Sequence, residues 1–137
     1  MRTLNFVGAI VGLLLSVSVA AHASTVDETT GFLLKSAAAD FVKQRAKPTG
    51  FRNIRLGYLR DNEGEPVYLL CGEFSSVETP GNPDWTQFAT LKTERYEQWI
   101  GGSAEALCAK GQFSPTQPAD LVKRLHKEIG ETAERQK

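Results

Sequence analysis

The sequence predicts a small α+β domain: an N-terminal amphipathic helix, an antiparallel sheet of about three strands, a short helical segment and a C-terminal helix, with one disulfide. Three observations predict it. Apolar residues recur at three- and four-residue spacing near both ends of the mature chain, which is the mark of helices that bury one face. Between them, two runs alternate with period two around an Asp-Asn-Glu-Gly turn, which is the mark of a hairpin. The only two cysteines belong to a chain whose first residues read as an export signal, so an oxidising compartment can join them.

The chain opens "MRTLNFVGAIVGLLLSVSVAAHAS". Arg2 supplies a positive n-region, Phe6 to Val19 is an almost unbroken apolar stretch, and Ala21-His22-Ala23 fits a small-x-small cleavage site before Ser24. Residues 1–23 are therefore expected to be a signal peptide rather than a membrane anchor, and residues 24–137 a single small domain. No cysteine follows the apolar run, which disfavours an acylated lipoprotein, and nothing later is apolar for long enough to span a bilayer. The expected location is the bacterial periplasm, or beyond it by secretion, with no membrane contact after cleavage. The full chain has 16 basic and 16 acidic residues. Losing Arg2 leaves a net charge of roughly −1, without the basic excess that phosphate neutralisation requires, so nucleic acid is not an expected partner.

In "TGFLLKSAAADFVKQRAK", residues 30–47, Leu34, Ala37, Ala38, Phe41 and Val42 form one helical stripe. Lys43, Arg45 and Lys47 suit the negative end of the helix dipole, and Pro48 and Gly50 stop it. In "FRNIRLGYLRDNEGEPVYLLCGEF", Ile54, Leu56 and Tyr58 alternate, the turn follows, and Val67, Leu69 and Cys71 alternate again. A four-residue loop sets Arg60 opposite Glu65, Tyr58 opposite Val67, Leu56 opposite Leu69, Ile54 opposite Cys71 and Arg52 opposite Glu73. Residues 43–60 carry six basic side chains and no acid, and residues 61–84 six acids and no base. Pairing across the hairpin accounts for that polarity better than a bipolar docking surface does.

"SSVETPGNPD" reads as a loop and "WTQFATLKT" as a third strand. In "ERYEQWIGGSAEALCAK", Tyr96, Trp99 and Ile100 have helical spacing, and a second short turn runs from Ala104 to Cys108 beyond the glycine pair. Leu121, Val122, Leu125 and Ile129 form the stripe of the last helix, which Ser114 or Thr116 can cap, and the charged tail from about residue 131 is expected to fray.

Three roles compete for Cys71. A catalytic thiol needs a base, and the mature chain's one histidine, His126, sits beside Arg124 and Lys127 on the polar side of its helix. Two distant cysteines with one histidine do not make a usual zinc set, so no metal is expected, and no Cys-x-x-Cys motif is present. The remaining role is a disulfide, Cys71 to Cys108.

"FRNIR", "LLCGEF" and "EALC" together resemble a group of small exported proteobacterial proteins with a Phe-Arg-Asn-Val-Arg-like strand, a Cys-Gly-Glu strand and a second cysteine near a tryptophan. The matching positions are Phe51, Arg52, Asn53, Ile54, Arg55, Cys71, Gly72, Glu73, Trp99 and Cys108, within residues 30–110. After Phe74 the chain departs from that group, with "SSVETPGNPDW" where an Asn- and Gly-rich run into an aromatic strand is usual. The resemblance implies a fold and a compartment, not an activity.

No phosphate-cradling glycine loop, serine elbow or cofactor fingerprint occurs, so no cofactor and no catalysis are expected. Glu73, Glu78 and Asp84 are the carboxylates from which a hydrolase pair could be drawn, although no spacing makes any two converge. The favoured expectation is a protein-binding module for a periplasmic or envelope partner, an inhibitor or immunity-type protein for an envelope enzyme or secreted toxin. The alternative is a structural or accessory component of an envelope assembly. In the expected register, Arg55, Leu59, Tyr68, Leu70 and Phe74 share the second face of the hairpin, beside Trp85. Either the C-terminal helix covers that face, or it is open and Arg55, Tyr68, Phe74, Glu78 and Trp85 contact the partner.

Overall fold

The computed structural model describes residues 20–76 and 84–137, with side chains from residue 26 onward. The apolar segment 1–19 and Glu78 lie outside the described residues. In chain order the elements are α1 (Ala20–Phe41), β1 (Pro48–Arg60), β2 (Pro66–Ser76), β3 (Trp85–Lys92), β4 (Tyr96–Ile100), α2 (Gly102–Lys110), β5 (Gln112–Phe113) and α3 (Leu121–Arg135). The strands form one antiparallel sheet in the order β4-β3-β2-β1-β5. Helices α1 and α3 lie together on one face of it, and α2 lies against β3 and β4 on the other. No helix among the described residues is long and apolar enough to cross a membrane.

Helix α1 buries Leu33, Leu34, Ala37, Ala38 and Phe41, one face of a helix with 3.6 residues per turn. It ends at Phe41 rather than at Lys47 as expected. Phe41 is the last member of the stripe that the sheet can bury. Beyond it the amides of Lys43 and Gln44 tighten onto the carbonyls of Asp40 and Phe41, and the Lys47 ammonium turns back to the Val42 carbonyl. The rings of Phe51, Phe74 and Phe88 each stand edge-on to Phe41 with centroids 5.1 Å away, so the sheet-facing end of α1 is the centre of the main core.

The hairpin forms, one residue out of the expected register near its turn. Asp61 and Glu65 are themselves bonded (Asp61 N donates to Glu65 O, 2.9 Å), so the turn is Asn62-Glu63-Gly64 and Arg60 stands opposite Pro66. Gly64 has φ 84°, the left-handed residue that a three-residue hairpin loop demands, and the Asp61 carboxylate accepts the amides of Glu63 and Glu65. Leu56 therefore faces Leu70 and Arg55 faces Cys71. A bulge at Asn53 and Ile54, opposite Gly72, absorbs the offset, so Arg52 does stand opposite Glu73 as expected.

That single residue decides which side of the sheet each chain position serves. Ile54, Leu56, Tyr68, Leu70, Phe74 and Phe88 go to the face under α1 and α3, while Leu59, Val67, Leu69, Cys71, Ala89 and Leu91 go to the face that meets α2. At the bulge, Gly72 has no room for a side chain: a Cβ there would lie 2.8 Å from the Phe88 ring and 3.0 Å from Ile54. Gly72→Ala is expected to destabilise the fold by about 1–3 kcal/mol in urea denaturation, since a core ring must move to admit the methyl.

Among the described residues the sheet has five strands where about three were expected. Tyr96–Ile100, read as helical from its spacing, is strand β4: it completes the open edge of β3, and the Gly101 amide extends the pairing to the Gln87 carbonyl at 2.9 Å. The helix proper begins only at Gly102, once Gly101 has turned the chain with φ 72°. β5 is two residues long and carries no period of its own. The expected disulfide is present: Cys71 on β2 joins Cys108 on α2, with Cα atoms 6.0 Å apart.

Helix α3 begins at Leu121, and neither Ser114 nor Thr116 caps it; the residue ahead of it is Asp120, in the left-handed region and without a capping bond. The stretch before it closes the edge of β1 instead. The Gln117 amide accepts from Leu56 N (2.7 Å) and donates to Leu56 O (3.1 Å) and Ser114 O (2.8 Å), imitating one more strand residue. α3 runs past residue 131 to Arg135, with Thr132 buried.

Candidate functional site

Helix α2 is short and covers only the β3–β4 side of its face. The part of that face left uncovered by the described residues, around the bulge, is a concavity of about 600 Å³ lined by Asn53, Arg55, Cys71, Gly72, Glu73 and Gln87. Register explains the set. Arg52, Glu73 and Gln87 stand side by side across β1, β2 and β3, and Arg55, Cys71 and Ala89 form the next row on the same face. On the other side of the Arg52 row stand Gly50, Ser75 and Trp85. Asn53 joins from the bulge, where φ 54° is a left-handed conformation that asparagine tolerates better than most residues.

Glu73 is the electrostatic pivot. Its Oε2 accepts from Arg52 Nε (3.1 Å) and Asn53 Nδ2 (2.6 Å), and its Oε1 from Arg52 Nη2 (3.2 Å). The Arg52 hydrogen bonds, then that of Asn53, hold its carboxyl below the usual carboxylate range against a smaller opposing effect of burial. A group lowered in the folded state stabilises above its unfolded pKa and loses that contribution as pH falls through the folded value. Glu73→Gln is thus expected to cost stability at neutral pH, and the gap to the parent protein should close as pH falls below 4.5. Urea midpoints across that range check it; a gap that widens in acid contradicts the direction.

Two arginine–aromatic stacks flank the concavity. The Arg52 guanidinium lies 4.2 Å from the centre of the Trp85 ring, and that of Arg55 lies 4.3 Å from the Phe113 ring. Phe113 reaches the site because β5 sets it opposite Gly57, where any Cβ would lie 2.6 Å from its ring.

Of the side chains expected to meet a partner, Arg55 lines the concavity and half-buried Trp85 borders it on the same face. Tyr68 and Phe74 are elsewhere. Phe74 is 6 % exposed, inside the phenylalanine core under α1, and it offers no ring to a partner. Tyr68 is half-buried on that same helix-covered face and lines a separate cleft of about 280 Å³ with Val26, Leu56 and Tyr58. The expected aromatic patch required those two on an open face, and the odd-numbered turn put them under the helices.

Asn53, Glu73, Gln87, Arg52 and Phe113 were not singled out for this role from sequence. The one legible signal was the opposition of Arg52 and Glu73, which already joined the "FRNIR" and "CGE" stretches that supply most of the lining.

As for chemistry, the two cysteines are consumed by their bond and titrate no thiol. His126 is exposed on α3 and rests on Phe51 at 5.1 Å, under the opposite face of the sheet. Among the described residues no cluster of three His, Cys, Asp or Glu side chains is placed to hold a metal ion. Asp84 is exposed just ahead of β3. A second polar group lies on the helix side, where burial, and then the neighbouring Asp40 carboxylate, raise the Tyr96 phenol far above its ordinary value and keep it protonated. Its hydroxyl donates to Gln98 Oε1 at 2.5 Å, two residues along the same strand. Comparison with known proteins finds no family model, no curated protein and no solved structure that matches this chain, so the site is read from its own geometry.

Proposed function

We propose that this protein is an exported, periplasmic protein-binding module without catalytic chemistry of its own, and that it docks its partner on the open sheet face beside the disulfide. One observation carries the reading. Two arginine–aromatic stacks, Arg52 on Trp85 and Arg55 on Phe113, frame a polar concavity that the helices leave uncovered. Arginine and aromatic side chains are the residue types that dominate binding energy at protein interfaces, and stacking holds both in place before a partner arrives. The disulfide suits an oxidising compartment, as the leader-like first residues do. An envelope enzyme or secreted toxin, bound by this chain as an inhibitor or immunity-type protein, is the partner class that fits.

The test is affinity capture from envelope extracts, followed by Kd measurement on the identified partner. Arg55→Ala and Trp85→Ala are each expected to weaken binding by about 2 kcal/mol, roughly thirtyfold, while Glu63→Ala in the hairpin turn leaves it unchanged. A partner held equally by all three variants refutes the site.

A second reading, an assembly component, is favoured by β4. It is the outermost strand and exposes Trp99 (42 %) and Ile100 (44 %), an edge on which another strand could add. A stable oligomer on size-exclusion chromatography that Trp99→Lys disperses supports this; a monomer that captures one partner through Arg55 excludes it.

A further inference from the structure

We propose that the concavity beside the Cys71–Cys108 bond is a carboxylate-binding site, with the Arg55 guanidinium as its anchor. The proposal rests on reading this concavity as a recognition site and specifies the chemistry it recognises: a singly charged carboxylate next to an amide, as in an aspartate or glutamate side chain of a peptide or in a chain terminus.

The argument starts from an imbalance. The concavity and its border bring together two guanidinium groups, Arg52 and Arg55, and one carboxylate, Glu73. Glu73 is committed to Arg52 through two hydrogen bonds and to Asn53 through a third. Arg55 lines the cavity and makes no ion pair among the described residues, so one positive charge stands without a partner in a concave wall. Its planar face is occupied by the Phe113 ring, which leaves the donor-bearing edge of the fork for a ligand. A carboxylate matches that edge with two parallel hydrogen bonds.

The platform is also rigid. The Phe113 ring sits against two glycines: a Cβ on Gly57 would come within 2.6 Å of it and a Cβ on Gly111 within 2.7 Å. A ring seated so closely fixes the guanidinium stacked upon it, so little ordering entropy remains to be lost on binding. Gln87, half-buried on the far wall, carries both a donor and an acceptor for an adjoining amide. Phosphate fits less well. The net charge of the three groups is a single positive one, and the fixed Glu73 carboxylate repels a second negative charge brought into the same cavity.

The measurement is a chemical-shift titration of the oxidised, full-length mature protein, following the Arg55 Nε–H and the amides of Gly72 and Gln87. Four probes are used: N-acetyl-glutamate methylamide, N-acetyl-alanine, neutral N-acetyl-glutamine methylamide and inorganic phosphate. Saturable shifts are expected with at least one carboxylate probe, the first if the source is a side chain and the second if it is a terminus. The neutral probe should bind at least about tenfold more weakly, and Arg55→Gln should lose a similar factor for the carboxylate alone. Because Arg55 is exposed, an unchanged amide spectrum away from the site verifies that the variant folds. Absence of saturation at millimolar probe, equal binding of the neutral probe, tighter binding of phosphate, or indifference to Arg55→Gln each overturns the assignment. Its failure is separable from that of the protein-binding reading: a partner captured through Arg55 with no carboxylate preference removes only the carboxylate, whereas carboxylate binding with no captured partner removes only the protein.

Discussion

Replacing Cys71 and Cys108 together by alanine is expected to lower the stability of the domain by about 4 kcal/mol, the value for closing a loop of 37 residues in the chain-entropy model. A whole domain holds roughly 5–15 kcal/mol, so little margin should remain at body temperature. The loss is not spread evenly. α2 buries only Ala104 and Cys108, and its cluster with Leu69, Cys71, Ala89 and Leu91 is much smaller than the core beneath α1 and α3. Without the bond, α2 rests on little apolar area, and its amides should exchange far sooner than those of α1. Urea denaturation of the double variant, and of the parent protein with and without reductant, measures the total; hydrogen exchange locates it. A loss below about 1 kcal/mol would show that the fold closes the loop unaided. The carboxylate site should suffer as well, because Cys71 lines its floor.

Phe41→Ala is expected to cost about 3–5 kcal/mol. The side chain is fully buried and three phenylalanine rings meet it edge-on at 5.1 Å, two from the hairpin and one from β3. Truncation removes buried area and three aromatic contacts at once, and the cavity would open where α1 is anchored to the sheet. Phe32→Ala on the same helix is the control. That ring is 40 % exposed, with the Lys92 ammonium 5.2 Å from its centre, so its removal should change the denaturation midpoint little, within about 0.5 kcal/mol. Equal losses from the two would mean that the phenylalanine cluster does not organise the core.

The hairpin shows how far the sequence could be followed and where it stopped. Its two strands, its turn and the Arg52–Glu73 opposition were legible, because alternation and turn chemistry are local. The facing of its side chains was not. A turn of three residues rather than four shifts every pair by one, and two runs this apolar on both faces, "IRLGYL" and "VYLLC", satisfy either register about equally. Of the two alternatives for the face that holds Tyr68 and Phe74, covered by the C-terminal helix or open to a partner, the register yields the covered one. β4 fails for a related reason: the spacing of Tyr96, Trp99 and Ile100 suits a helix, and only the unfilled edge of β3 turns the segment into a strand.

Local patterning along the chain was enough for the class of element at most positions and for the pairing of the two cysteines. Each follows from composition or from neighbours a few residues away. The bulge opposite Gly72, the sides of the sheet and the meeting of Asn53 and Arg55 with Glu73, Gln87 and Phe113, from four separate strands, come from long-range packing. Such a site depends on register summed across four strands, and register is set by how all of them bury their apolar sides together, a balance that no single stretch of the chain contains.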